Sequence, residues 1–294
     1  MAPPVLRPAS ADEAPALLEV MYAALAHEAS AGAMVRVYPD ASSEAAWLRY
    51  VLTTGSGWVA EKDGAVVGFG ISAWRGGIHW LVSLYVRPEA QHKGVGRQLL
   101  EQIWSPYSGA DRATLVDAAS RPAMRLYLNA GLVPAMPVLA FAGVMQADEG
   151  LVRGLVARDD RETVAELTDK ADEAAFGAAR PGDHAHWTAA GFAFRSLWTS
   201  DGGWIGYARW SPSGRLGPVV LAEGADWPAA LTALAAQAYQ EQIERLRLMV
   251  PAANESALRW CQELRLSYQG MEIAMVTRMP GAWSRCLIHR AALP

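Results

Sequence analysis

The run "EAQHKGVGRQLL", residues 89–100, places Gly94 and Gly96 among His92, Lys93 and Arg97, directly after the apolar run "WLVSLYV" and directly before an amphipathic helix. A helix N-terminus presents unsatisfied backbone N–H groups and a partial positive charge, so it receives anions. Glycines let the backbone approach a phosphate closely, and the basic side chains add donors. The pattern predicts a pyrophosphate site from Gln91 through Arg97, including Val95, against the plainer alternative that two glycines only serve a strand-to-helix turn. Leu99 breaks the G-x-G-x-x-G spacing of a dinucleotide fold, and the G-K-[ST] of a P-loop is missing.

The elements that must hold this loop are legible from periodicity. "PVLRPAS" reads as a strand ending at Ser10, and "ADEAPALLEVMYAALAHE" and "EAAWLRYVL" read as helices. "GWVAEKDGAVVGFGISAW" reads as two strands around the Asp63-Gly64 turn. "IHWLVSLYV" is a third, buried strand, "GVGRQLLEQIW" a helix and "RATLVDA" a strand. "SRPAMRLYLNAG" is a helix with Ser120 at its N-cap, Pro122 in its first turn and Gly131 as its stop, and "AMPVLAFAGVM" closes the first half. The order is βααβββαβαβ. "VPAANESALRWCQELRL", from Val250, repeats "VDAASRPAMRLYLNAGL", from Val116, without a gap. A fixed offset of this kind is the mark of duplication. Two similar domains are expected, residues 1–146 and 151–294, joined near "QADEGLVRG".

Composition fits that picture. A chain of 294 residues exceeds the usual single domain, and about half of it is apolar. A net charge of −4 without long like-charge runs gives no footprint for nucleic acid or an anionic membrane. The N-terminus lacks a continuous apolar leader segment, and Cys261 and Cys286 have no C-x-x-C spacing, so a cytoplasmic, reduced protein is expected.

The pattern Gln-x-x-Gly-x-Gly after a strand ending "LYVRP", followed by a helix reading "LYLNAGL", resembles the GNAT N-acetyltransferase superfamily. The resemblance implies an α/β (α+β) fold of two GNAT-like domains, each a mostly antiparallel mixed sheet flanked by helices. It implies acetyl-CoA as acyl donor, with Leu84, Tyr85 and Val86 lending backbone groups to the pantetheine arm and Gln91 to Arg97 wrapping the diphosphate. Ser120 stands where the family often has Asn, which implies a contact to CoA of shorter reach, and Tyr127 matches the tyrosine that protonates the departing thiolate. The function expected is acetyl-CoA-dependent N-acetylation of a primary amine, most simply of a small molecule. The alternatives are a peptide or protein amine, or a protein that binds or senses acyl-CoA without catalysis. The state expected is monomer or homodimer.

The general base is the missing part. Where many relatives carry a glutamate, four residues before Leu84, this sequence has Trp80, which takes no proton but could line an acceptor pocket with Trp47 and Trp58. His79 should point to the opposite face by strand alternation. Glu28, His27, Asp40 and Glu44 lie where relatives cover the acceptor, with Glu28 the candidate substrate contact. His184 and His186 lack third and fourth ligand partners, so no metal is expected. In the second domain the same offset puts Ala225, Trp227, Pro228, Ala230 and Leu231 on the loop positions and Cys261 on Tyr127. The anion site is lost there, and a single acetyl-CoA per chain, in the first half, is the expectation.

Overall fold

The computed structural model describes residues 3–30, 41–107, 109–144 and 154–290. The chain divides into two compact units: Met1–Ala135 with Ile273–Met279, and Met136–Glu272 with Pro280–Ala292.

In the first unit the elements run β1 (Val5–Pro8), α1 (Ala14–Ser30), α2 (Ala41–Thr54), β2 (Ser56–Lys62), β3 (Ala65–Arg75), β4 (Ile78–Val86), α3 (Val95–Trp104), β5 (Asp111–Asp117) and α4 (Arg121–Asn129). The sequence predicts this order. Strands β1 to β4 form an antiparallel meander, and β5 joins β4 in parallel. The β2–β3 turn takes positive φ at Asp63 (52°) and Gly64 (78°), as a tight hairpin requires.

β6 (Val133–Val144) follows, and then β7 (Leu155–Arg158), α5 (Ala165–Phe176), α6 (Pro181–Ala189), β8 (Ala193–Thr199), β9 (Trp204–Trp210), β10 (Arg215–Leu221), α7 (Trp227–Gln240), β11 (Arg245–Pro251), α8 (Glu255–Glu263), β12 (Ser267–Val276) and β13 (Cys286–Leu287). The strands of the second unit are ordered β6-β11-β10-β9-β8-β7, with β13 added on β10. β5 and β11 correspond at an offset of 134 at both ends, as do α4 and α8. At the loop the repeat slips: α7 begins two residues ahead of where that offset carries the start of α3.

The units are not contiguous halves. From Met136 onward β6 belongs to the second unit, antiparallel to β11 from Val138↔Pro251 to Val144↔Arg245. The first unit receives Ile273–Met279 in exchange. There the Thr277 N–H donates to Arg112 O and the Arg112 N–H to Thr277 Oγ1, both at 2.9 Å, and Arg278 Nε donates to Asp111 Oδ2 at 2.5 Å. "AMPVLAFAGVM" therefore does not close the first unit. An apolar strand signals burial, and its partner depends on contacts distant in sequence. The joint near "QADEGLVRG" lies almost wholly outside the described residues. No described helix is long and apolar enough to cross a membrane.

Candidate active site

The site begins where β4 and β5 part. Their ladder covers only Ile78↔Asp111, His79↔Arg112 and Trp80↔Ala113. One residue further, Thr114 Oγ1 donates to Leu81 O at 3.0 Å in place of a ladder bond. On its other side β4 slips register against β3, from Ser72↔Leu81 to Ile71↔Ser83, which leaves Val82 as a bulge. Beyond the bulge Leu84, Tyr85 and Val86 pair with Gly70, Phe69 and Gly68 of β3 and have no partner on β5. A parted parallel pair exposes strand N–H and C=O groups that an extended amide-bearing ligand can use.

The loop after β4 is fixed by its own polar groups. Gln91 Nε2 donates to Val86 O at 2.9 Å, Lys93 Nζ to Glu89 O at 2.6 Å, and the Arg87 N–H to Val67 O at 2.8 Å. His92 (φ 61°) and Gly94 (φ 82°) are both left-handed. A Cβ on Gly94 would meet nothing within 4 Å, so the chain needs glycine there for its handedness and not for space. Gly96 differs. A Cβ there would make only ordinary 3.8 Å contacts with Leu126 and Val86, so close approach to the loop from outside is the one demand left on it.

Gly94 is the N-cap of α3 and has no side chain to cap with. The first bond of the helix is the Gln98 N–H to Gly94 O at 3.0 Å, so the N–H groups of Val95, Gly96 and Arg97 have no acceptor within the helix. His92, Lys93 and Arg97 are exposed around them, with Arg97 Nε 3.2 Å from Glu101 Oε1. An anion fits this setting. Val95, Leu99, Leu100, Ile103 and Trp104 are buried and press α3 onto the sheet, each contributing about 1.5–3 kcal/mol. Gly70 on β3 permits the approach, because a Cβ there would lie 2.4 Å from Ile103 Cδ1. "VVGFG", two glycines inside a strand, is the sequence signal for that contact. Thr114 and the bulge at Val82 carry no such signal.

Tyr127 is buried in one apolar cluster with Leu81, Leu100, Ile103 and Val116, and Leu84 packs against that cluster. This places its ring beside the parted stretch of β4. Ser120 occupies the N-cap of α4 without a capping bond of its own, and its Oγ donates to Glu28 Oε1 at 3.1 Å. Ser120 thus ties the start of α4 to Glu28 of α1, 92 residues away in sequence. Trp80 is buried between Ala73 and Ala113 in the ladder that precedes the parting. His79 is buried, with Nε2 2.8 Å from Ser72 Oγ, and burial, assisted by Arg112, lowers its pKa to about 4. It is neutral at ordinary pH and held by β3. Asp40 lies outside the described residues.

The second unit has other groups at the matching places. Asp226 is the N-cap of α7, and its Oδ1 accepts from the Ala229 N–H at 3.0 Å, so a carboxylate already sits where an anion would bind. Trp227, Ala230 and Leu231 are core residues. Cys261, the counterpart of Tyr127, is fully buried, and burial pushes its thiol up to about 12, which removes thiolate chemistry. His184 is held between Asp172 Oδ2 and Arg209 Nε, both at 2.9 Å. Among the described residues no group of three or more His, Cys, Asp or Glu side chains could hold a metal ion.

Two family models match the chain, both described as an acetyltransferase (GNAT) domain, one over residues 53–132 and one over residues 169–286. No curated protein matches by sequence. Among solved structures, one from Pyrococcus horikoshii, assigned as a candidate acetyltransferase, superposes with a TM-score of 0.79 at 17% identity, covering 100% of this chain and 97% of its own. A GCN5-related N-acetyltransferase from Sphaerobacter thermophilus gives 0.68 at 18% identity over 95% of this chain and 96% of that one. A tandem GNAT protein from the clavulanic acid biosynthesis pathway gives 0.63 at 14% identity over 95% and 99%. At these identities the likeness is one of fold, and it runs the length of both chains. With a GNAT model matched in each half, more than half of the sequence covered and a tandem GNAT protein sharing the whole fold, the chain belongs to the GNAT acetyltransferases and carries two such domains in tandem.

Proposed function

We propose that the chain is an acetyl-CoA-dependent N-acetyltransferase that modifies a primary amine of a small molecule, with its donor site in the first unit. The observation that carries this reading is the parted β4–β5 edge beginning at the Val82 bulge, beside a helix N-terminus with three N–H groups lacking helical acceptors. The edge suits the two amides of a pantetheine arm, and the N-terminus suits a diphosphate. In the degenerate second unit the corresponding N-terminus is filled by Asp226, which supports a single donor site per chain.

In this reading Leu84, Tyr85 and Val86 hold the donor through backbone groups, and the loop from Gln91 to Arg97 neutralises its diphosphate. Backbone N–H groups beside the bulge are donors for the thioester oxygen as it gains charge, in a setting that needs no reorganisation. An amine that has released its ammonium proton to solvent bonds through nitrogen to the thioester carbon, the carbon–sulfur bond breaks, the Tyr127 hydroxyl delivers a proton to the leaving sulfur, and the proton shed by the nitrogen restores the phenol through water. Ser120 bridges Glu28 to the start of α4, and the Glu28 carboxylate is the acceptor's anchor, drawing a cationic amine to the cleft mouth. Holding both reactants in one cleft supplies much of the rate.

One observation favours a second reading, acyl-CoA binding without transfer: buried Trp80 occupies the place where a base is expected. Incubation with acetyl-CoA and a panel of small primary amines, peptides and no amine, read as free thiol over time, separates the two. Amine-dependent thiol release supports transfer, and release only with peptides moves the acceptor class. Saturable acetyl-CoA binding with no release on any amine establishes the second reading.

A further inference from the structure

The second unit's cleft is also parted, and it is full. β10 and β11 pair in parallel only over Arg215↔Arg247 and Leu216↔Leu248. On its β9 side β10 slips register between Leu216 and Val219. Into the gap runs the chain's own Cys286–Arg290. β13 pairs antiparallel with β10 at Val219↔Leu287 and Val220↔Cys286, and Ile288 bridges to Met249 of β11, its N–H donating to Met249 O at 3.1 Å. Both edges left by the parting are thus taken by one peptide segment.

Side chains fasten the segment as well. Asn254, the α8 N-cap and the counterpart of Ser120, accepts from the Ala257 N–H at 3.1 Å and donates Nδ2 to Cys286 O at 3.3 Å. His289 Nδ1 lies 3.0 Å from Gly217 O, and Arg285 Nε donates to Leu221 O at 3.2 Å. Gly217 (φ 151°) is the floor of the slot, since a Cβ there would come within 2.5 Å of Ile288 O. Cys286, Leu287 and Ile288 are fully buried, and His289 and Arg290 nearly so. A two-residue strand with no hydrophobic period of its own is not buried this completely unless the groove is shaped for it.

We propose that the second unit's cleft is a peptide slot whose resident ligand is the chain's own Cys286–Arg290, bound by strand addition, and that this segment bars an extended ligand such as an acyl-CoA arm from that cleft. The second clause rests on the proposed donor role of the first unit's cleft. The slot itself does not.

The test is complementation. A chain ending at Arg285 is mixed with a labelled synthetic peptide of residues 286–294 under reducing conditions, and binding is read by fluorescence anisotropy beside thermal unfolding and acetyl-CoA titration. The expected result is saturable one-to-one binding by the shortened chain, recovery of its melting temperature by the peptide, and no binding of the peptide to the full chain or of a scrambled peptide to either. A folded shortened chain that ignores the peptide overturns the slot. Absence of acetyl-CoA binding by the full chain, with peptide binding by the shortened chain as expected, overturns only the donor reading. Should the shortened chain not fold, Ile288→Pro in the full chain removes the N–H given to Met249 O. Amide exchange at Leu287 is then expected to quicken at least tenfold while β4 and β5 are unchanged, and unaltered protection at Leu287 overturns the slot.

Discussion

Replacing Gly94 by valine attacks the loop through its handedness. The residue sits at φ 82°, and a Cβ meets no atom within 4 Å, so bulk alone does no harm in the unliganded chain. The conformation does: a side-chain-bearing residue pays about 1–2 kcal/mol to stay left-handed, and a β-branched one resists more. The loop's cheapest escape is to rotate Gly94 to negative φ, which swings the first N–H groups of α3 off their common direction. A hydrogen bond to a charged group is worth about 1.5–3 kcal/mol, so the loss of one weakens binding by about 10- to 100-fold. The buried face of α3 from Leu99 to Trp104 is untouched, and the fold should survive. Calorimetric titration with acetyl-CoA, beside circular dichroism, measures both effects, with Gly94→Ala falling between wild type and valine. A folded Gly94→Val chain with wild-type affinity refutes the loop's role.

Tyr127→Phe keeps the ring in its apolar cluster and removes the proton donor, so the melting temperature should hold while turnover falls on the order of 10²-fold; turnover near wild type rules Tyr127 out as the acid. Glu28→Gln should raise KM for a cationic amine far more than it changes kcat, and an unchanged KM removes Glu28 from the acceptor site. His79, with its pKa lowered to about 4 from an ordinary 6.5, takes up its proton in the unfolded chain first. Its stabilising contribution is whole above pH 6.5 and falls as pH drops toward 4, by about 2 kcal/mol at pH 5. Urea unfolding at pH 7.5 and pH 5 should show that fall reduced in His79→Gln, and identical slopes contradict it. Asp172 is fully buried and bonded to Arg180, His184 and Tyr207. Asp172→Ala leaves buried cations uncompensated and should cost about 3–5 kcal/mol, visible as early melting.

Much of this was legible in order and little of it in pairing. The hairpin at Asp63-Gly64, the glycine loop and the helix from Arg121 each carry a local signal, and their elements stand where periodicity puts them. The duplication is visible because α8 retains the spacing of α4 after its polar site has gone. What sequence does not disclose depends on meetings across long separations. β6 faces β11, Ser120 bonds Glu28, and Cys286 to Arg290 fill a groove formed near residues 216–221 and 248–254. The buried Asp172 network joins α5, α6 and β9, and its members read singly as ordinary polar residues. The partner of His79, Ser72, becomes evident only once β3 and β4 are in register.

Hydrogen–deuterium exchange of the full chain with and without acetyl-CoA locates the donor in one experiment. With the donor in the first unit, new protection is expected only at residues 84–86, 91–98 and 120–127, with residues 215–231 and 245–251 unchanged. A footprint on those second-unit segments, or none in the first unit at saturating acetyl-CoA, contradicts that placement.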